Sequence, residues 1–440
     1  MTDRNYSQSS AEWLAPHATG PLRAVVSVPG SKSLTNRELV LSAIASGPSR
    51  LLHPLTSRDS QLMRAALKSL GVLSRESISD TTDTIDVLPM PLKGNTTIDC
   101  GLAGTVMRFV PPLAALAVGD VTFDGDDGAR RRPMSTTIDS LRKLGIEVSD
   151  DGRGTLPFTV HGTGSVRGGS IEIDASASSQ FVSGLLLAAP RFEEGLTLRH
   201  VGEHLPSMPH IDMTVECLRR RGVTVSQPEV GVWRVEPGPI DGIELDIEPD
   251  LSNAAPFLCA ALVAGGLVTI AGWPQTTTQV GADLATYLPQ FGCVVTVDDN
   301  GLTVDGGTGL LNGGTIDGVT LDLSTGGELA PTLVALAALA SSPSEFRGIA
   351  HLRGHETDRL AALVTEINRL GGRATELDDG IRIEPSPLHG DTWRTYHDHR
   401  MATAGALIGL AVPGVTVEDI GTTAKTLPRF TEMWSEMVNS

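Results

Sequence analysis

The chain has 440 residues, longer than a single hydrophobic core usually serves, so two domains of ordinary size are expected. A hydrophobic content of 40% with no apolar run of membrane-spanning length, and a polar start Met1-Thr2-Asp3-Arg4-Asn5 unlike a signal peptide, point to a globular cytoplasmic protein. A formal net charge of -18 argues against general binding to nucleic acid or anionic membranes, and four cysteines without paired spacing (Cys100, Cys217, Cys259, Cys293) argue against a zinc site or a disulfide framework.

Residues 1 to 20 carry no periodicity and are expected to form a frayed tail. The strand-like run Ala24-Val25-Val26-Ser27-Val28 is then broken by Pro29-Gly30. Ser31-Lys32-Ser33-Leu34-Thr35-Asn36-Arg37 leads into the apolar run Leu39 to Ile44. Read as a helix start, this stretch is an anion cradle, because first-turn N–H groups lack helical partners and Lys32 and Arg37 add positive charge. It also fits an ordinary capped surface helix with solvated charges, and it lacks the upstream glycine of a Walker A loop.

The same order, a strand, a small polar turn and an Ala/Leu-rich helix, recurs at roughly 70 to 76 residues. Ile98-Asp99-Cys100-Gly101-Leu102-Ala103-Gly104-Thr105 leads into 106–116, and Ile173 to Gln180 into 181–189. Ile247 to Asn253 leads into 254–263, Leu321 to Glu328 into 329–340, and Tyr396 to Arg400 into 401–410. A second, amphipathic helix follows in several repeats, at 135–145, 211–222, 282–292 and 359–371. The expected fold is therefore α/β (α+β), with six β-α-β-α-β-β units, three per domain. Gly238-Pro239, Gly242 and Pro249 loosen the chain near residue 248. That divides it into a tail and strand at 1–30 joining the C-terminal domain, a first three-unit domain at 31–247 and a second at 248–440, with a hinge and a site in the cleft between them.

If the six helix N-termini converge, their partial positive ends suit a substrate with several anionic groups. Arg108, Arg130-Arg131-Arg132, Arg359, Arg400 and Lys425 recur at similar places in the units, although each alone fits a solvated surface cation. Glu328 and Glu356 are candidate acid–base groups, and first-turn helix capping is the bland alternative for such residues. His397-Asp398-His399 lacks third and fourth ligands at a useful spacing, so no metal is expected.

Six motifs in order carry a resemblance: Pro-Gly-Ser-Lys-Ser-x-Thr-Asn-Arg at 29–37, Ala-Gly-Thr-x-x-Arg at 103–108, Ser-Ser-Gln-Phe at 178–181, Glu-Thr-Asp-Arg at 356–359, Asp-His-Arg-Met-Ala at 398–402 and Ala-Lys-Thr-Leu-Pro at 424–428. Together they resemble the 5-enolpyruvylshikimate-3-phosphate synthase family, its actinobacterial form in particular, over nearly the whole chain after residue 20. The resemblance implies a two-domain inside-out barrel, a monomer, and transfer of the enolpyruvyl group of phosphoenolpyruvate to the 5-hydroxyl of shikimate 3-phosphate without metal or organic cofactor. It places Lys32, Ser33, Arg37, Ser178, Ser179, Gln180, Ser207, Glu328 and His355 at shikimate 3-phosphate. It places Lys32, Gly104, Arg132, Gln180, Arg359, Arg400 and Lys425 at phosphoenolpyruvate, with Glu328, Glu356 and Lys32 handling protons. Two positions depart from the pattern of many members: Glu328 stands for aspartate and His355 for lysine. The alternatives are the related transferase acting on UDP-N-acetylglucosamine, whose reactive cysteine has no matching loop here, and a non-catalytic anion-binding protein of the same fold.

Overall fold

The computed structural model describes residues 12–78 and 83–440. The chain forms two compact units: Pro29–Glu248 is one, and the described residues up to Val28 with Pro249–Ser440 are the other. The backbone passes from one to the other at Val28-Pro29 and returns at Glu248-Pro249.

Strand pairing divides the described chain into six small sheets, three per unit. In the Pro29–Glu248 unit, Thr96–Asp99 pairs in parallel with Val118–Asp124, which pairs antiparallel with Phe158–Thr163, which pairs antiparallel with Val148–Ser149. Gly169–Ile173, Leu196–His200, Val232–Val235 and Val225–Glu229 repeat that order. So do Glu244–Asp246, Ser49–Leu52, Thr84–Leu88 and Leu73–Ser77. The other unit repeats it in Leu22–Val26, Gly266–Ala271, Gly301–Asp305 and Val294–Asp298, and in Thr320–Asp322, Ser344–Arg347, Ile381–Glu384 and Arg373–Glu376. The six-unit α/β organisation expected from the repeat is thus present, except that the sixth sheet has only three short strands, Trp13–Leu14, Thr416–Val417 and Thr392–Trp393. The strand that precedes Lys32 in the chain pairs with Gly266–Ala271, and the sheet of the Lys32 repeat is completed instead by Glu244–Asp246.

The expected tail from residue 1 to 20 lies outside the described residues as far as 11 and is corrected beyond them. Trp13–Leu14 pairs with Thr416–Val417, Ala15 N–H donates to the Val415 carbonyl, and Ala15 and Ala18 are buried. Isolated small apolar residues give no period, so their burial leaves no sequence pattern.

Each unit packs three helices inside its sheets: Lys32–Ala43, Gly104–Ala114 and Gln180–Ala188 in one, and Leu251–Ala264, Ala330–Ala337 and His399–Ala411 in the other. They are buried on almost every face, and all but Lys32–Ala43, which carries Lys32, Asn36, Arg37 and Glu38, are predominantly apolar. All 14 residues of Leu251–Ala264 are buried, which is why their sequences read as Ala/Leu runs without an amphipathic stripe. Small residues let them approach: a Cβ on Gly184 would lie 2.2 Å from the Arg108 carbonyl oxygen of the neighbouring helix. The second helices, such as Ser135–Lys143, Met208–Arg220 and Arg359–Arg369, keep an exposed face. The one expected at 282–292 is three short pieces, Val280–Asp283, Leu284–Tyr287 and Leu288–Phe291, since Pro289 removes a backbone donor from the run.

One charge is built into the core of the Pro29–Glu248 unit. Arg221 and Glu38 are both 0% exposed, paired at 2.8 Å, and Arg221 also donates to Ser42 Oγ, Ser49 Oγ and the Asp241 carbonyl. Removing one partner leaves a buried charge unmatched, so Arg221→Ala is expected to lower unfolding stability by about 3–5 kcal/mol. The apolar pair Glu38→Leu with Arg221→Met is expected to recover most of that loss, and urea titrations of the three proteins check both outcomes.

Candidate functional site

The N-termini of the three inner helices in the Pro29–Glu248 unit gather the residues expected to bind anions. Ser31 Oγ accepts from Leu34 N–H at 3.4 Å and fixes the start of Lys32–Ala43. Asn36 Nδ2 on the same helix donates to Thr105 Oγ1 at 2.8 Å and ties it to the first turn of Gly104–Ala114. No described side chain caps that second helix, whose first-turn N–H groups are left to a ligand or solvent, while in Gln180–Ala188 the Gln180 N–H is taken by Ser178 Oγ.

Around Gly104 the polar heads converge. A methyl added there would lie 3.0 Å from Arg108 Nη1, 3.0 Å from Gln180 Oε1 and 3.1 Å from Arg132 Nη2. Glycine here leaves the two guanidiniums and the amide the space they share, which a side chain would enter by pushing their flexible ends aside. Gln180 Oε1 and Arg132 Nε are buried and lack a hydrogen-bond partner among the described residues. Arg132 Nη1 donates to the Leu102 carbonyl at 3.1 Å, which aims the group without consuming its other donors. The cluster can hold a small planar anion by two-pronged contacts. Arg108, buried with its guanidinium 5.5 Å from the Phe181 ring centroid, belongs to this cluster as well. The sequence marked it as a recurrent cation only.

Lys32 Nζ lies 3.8 Å from Asp59 on helix Arg58–Ser69, a helix absent from the sequence expectations. Arg37 is buried and donates to Thr214 Oγ1 at 2.8 Å, to the His210 carbonyl at 2.8 Å and to the Ser33 carbonyl at 2.9 Å, so it fixes the Ser33 backbone. Ser178 is half-buried, its Oγ accepting from Gln180 N–H at 3.2 Å, and Ser179 beside it is buried. Ser207 stands ahead of Met208–Arg220 in the left-handed region with φ 54°, a conformation uncommon outside glycine and frequent at functional sites.

The second cluster lies wholly within the other unit. Arg359 is 3% exposed and is clamped by Asp398, 0% exposed, with Nε to Oδ2 at 2.7 Å and Nη2 to Oδ1 at 3.2 Å. Asp398 also caps His399–Ala411 by accepting from Arg400 N–H at 2.8 Å. One carboxylate thus positions both arginines. The Arg400 guanidinium donates to Ser252 Oγ at 2.8 Å on the neighbouring inner helix and lies 3.7 Å from Glu328. The approach to Asp398 is strained: Tyr396 and His397 have φ of 54° and 58°, and the Tyr396 hydroxyl donates to Glu366 Oε1 at 2.5 Å.

Glu356 is paired with Lys425 and accepts from Arg359 Nη2 at 3.0 Å. Burial pushes its carboxyl up, yet Lys425, Arg359, His399 and His355 outweigh this and hold it well below the usual carboxylate range. For Arg359, burial works against the charge, and Asp398, Glu356 and Glu328 overcome it and raise the pKa further. His355 Nδ1 lies 3.3 Å from Arg359 Nη1, a contact in which an imidazole can accept and a lysine could not. Among the described residues no group of three or more His, Cys, Asp or Glu is arranged to hold a metal ion. The four cysteines are buried, and burial first, then Asp99 and Asp124 against Arg108, pushes the Cys100 thiol up to about 12, so it offers no nucleophile.

Residues 16–434 match the family described as EPSP synthase (3-phosphoshikimate 1-carboxyvinyltransferase). The chain is 57% identical, over 449 aligned positions covering 100% of both proteins, to the 3-phosphoshikimate 1-carboxyvinyltransferase of Kocuria rhizophila. Among solved structures it is similar to EPSP synthase from Acinetobacter baumannii, with a TM-score of 0.80, 25% identity and 97% of each chain covered. The enolpyruvyl transferase NikO from Streptomyces tendae shares the fold at a TM-score of 0.74, with 18% identity and 97% of each chain covered. With its motifs in family order and a full-length relative at this identity, the chain belongs to the EPSP synthase family.

Proposed function

We propose that the protein is a 3-phosphoshikimate 1-carboxyvinyltransferase, a cytoplasmic monomer that transfers the enolpyruvyl group of phosphoenolpyruvate to the 5-hydroxyl of shikimate 3-phosphate and releases phosphate. The observation that carries the reading is the full-length 57% identity to a relative of that name. The two cation clusters supply what substrates bearing two phosphates and two carboxylates require. In this reading both clusters serve one reaction. Phosphoenolpyruvate takes Lys32, Gly104, Arg132, Gln180, Arg359, Arg400 and Lys425. Shikimate 3-phosphate takes Lys32, Ser33, Arg37, Ser178, Ser179, Gln180 and Ser207, with Glu328 and His355 beside its ring.

The chemistry follows from protonation states. The Lys32 ammonium gives a proton to the methylene carbon, which makes the adjacent carbon electrophilic. The 5-hydroxyl oxygen bonds to that carbon as its proton passes to Glu328. Phosphate then leaves with the electron pair of its C–O bond, and the methyl group returns a proton to Glu356 as the double bond re-forms. Glu356 is ionised in the protein as described and so is ready to accept. When substrate anions draw on Lys425 and Arg359, its pKa rises and it becomes the stronger base. Glu328 is likewise released for proton transfer when the substrate carboxylate takes Arg400.

Mixing the protein with phosphoenolpyruvate and shikimate 3-phosphate is expected to release phosphate, with none released when UDP-N-acetylglucosamine is the acceptor. Silence with both acceptors would leave only an anion-binding protein of this fold. Gly104→Ala is expected to weaken phosphoenolpyruvate by about 1–3 kcal/mol, roughly fivefold to a hundred-and-fifty-fold in KM, through overpacking against Arg108, Arg132 and Gln180. The KM for shikimate 3-phosphate should stay near wild type, and initial-rate kinetics with each substrate varied in turn reads both. Glu356 has a depressed folded pKa, so its stabilising pairing is complete above the ordinary carboxyl value of about 4.3 and is lost as pH falls through the folded value. Glu356→Gln should therefore melt below wild type at pH 7, and the gap should close on acidification below about pH 4, as thermal melts across that range would record.

A further inference from the structure

A cavity of about 820 Å³ opens in the Pro29–Glu248 unit between helix Arg58–Ser69 and the sheet that holds Ser49–Leu52, Thr84–Leu88 and Leu73–Ser77. None of Lys32, Gly104, Arg132 and Gln180 lines it, and its volume is that of a small-molecule site. It exists because small residues meet there. Ser74 on the edge strand and Ala65 on the helix are both exposed and small, and they leave the space between them open. At the rim Leu73 and Leu88, partners in register, are 54% and 46% exposed.

The charge on the walls is unbalanced. Of the lining cations, Arg50 is matched by Asp86 at 2.7 Å and by Glu244 at 4.0 Å, which accounts for both lining acids. Arg64 pairs through Nη1 with Glu76, and its buried Nε has no partner among the described residues. Lys68 and Arg75 also line the cavity, and no ion pair of theirs occurs among the described residues. In a chain of formal charge -18, two unmatched cations beside an apolar rim are a local reversal of the overall field.

We propose that this cavity is a second binding site, for an organic anion that joins a ring-sized apolar body to a carboxylate or sulfonate. The body lies on Leu73 and Leu88, and the acidic head is neutralised by Lys68 and Arg75, with Arg64 Nε as a further donor. The test uses the whole protein and the probe 8-anilinonaphthalene-1-sulfonate, with fluorescence titration for affinity and calorimetry for stoichiometry. One saturable site with a Kd below about 100 μM is expected, retained in the presence of saturating phosphoenolpyruvate and shikimate 3-phosphate. Two independent variants should each weaken it at least about tenfold: Lys68→Glu with Arg75→Glu, which reverses the head-group charge, and Ala65→Phe, which fills the space. Both change exposed positions, so their melts and phosphate release should match wild type. Absence of saturable binding, binding untouched by both variants, or displacement by the substrate pair would each overturn the proposal.

Discussion

The anion-binding chemistry of the Pro249–Ser440 unit depends on a single carboxylate. Asp398, with no exposure, holds Arg359 by two of its guanidinium nitrogens and fixes Arg400 through the first turn of the helix that carries it. A buried guanidinium is tolerated only when paired, because the desolvation cost of a lone ion in the interior exceeds anything local packing returns. Glu328 and Glu356 also face these cations, but on different terms. Glu328 stands 3.7 Å from Arg400, a loose contact that an incoming carboxylate can replace, whereas Asp398 is enclosed and stays. The acids around the arginines thus divide into one enclosed carboxylate that orients them and two that are partly accessible.

The cluster around Gly104 solves the same problem by other means. Here two arginines and an amide surround the start of a helix with no side-chain cap and no Cβ. Their mutual repulsion is reduced by dispersal: Arg108 lies over the Phe181 ring, and Arg132 donates to a backbone carbonyl. The result is a positively charged hollow whose buried acceptor is Gln180 Oε1, neutral and close enough to turn with its ligand.

What the sequence made legible were the parts governed by local rules. The helices after Asp250, Asp358 and Asp398 were expected from their runs, and the structure adds that each of these aspartates accepts a first-turn N–H. The inner helices were readable as Ala/Leu runs, and the repeat placed their N-termini in equivalent positions. Long-range pairings were not readable. A strand in 1–30 was expected to join the C-terminal domain, but nothing local names Gly266–Ala271 as its partner, since parallel partners hundreds of residues apart leave no trace in spacing. Helices Arg58–Ser69 and Phe430–Val438 were missed, neither carrying the Ala/Leu run by which the inner helices were read. Asp59 was missed with the first of them, although Lys32 leans on it. Arg37 carried a different ambiguity. The motif shows a cation one turn beyond Ser33, and only the fold reveals that Thr214, His210 and Ser33 already receive its donors.

The gathering of charge also follows from repetition itself. In each unit three copies of one β-α-β-α-β-β plan bury one helix apiece, and a helix buried on all sides can present only its ends to a ligand. Because the copies share a handedness and an order of strands, the three N-termini within a unit point the same way, and so do their partial positive charges. The Asn36–Thr105 and Ser252–Arg400 hydrogen bonds join these termini directly. A site for multiply charged anions therefore needs no separate scaffold here. With aromatic content at 4%, the interior must be filled by small side chains on closely packed helices, and that same close packing brings the positive ends within reach of one small ligand.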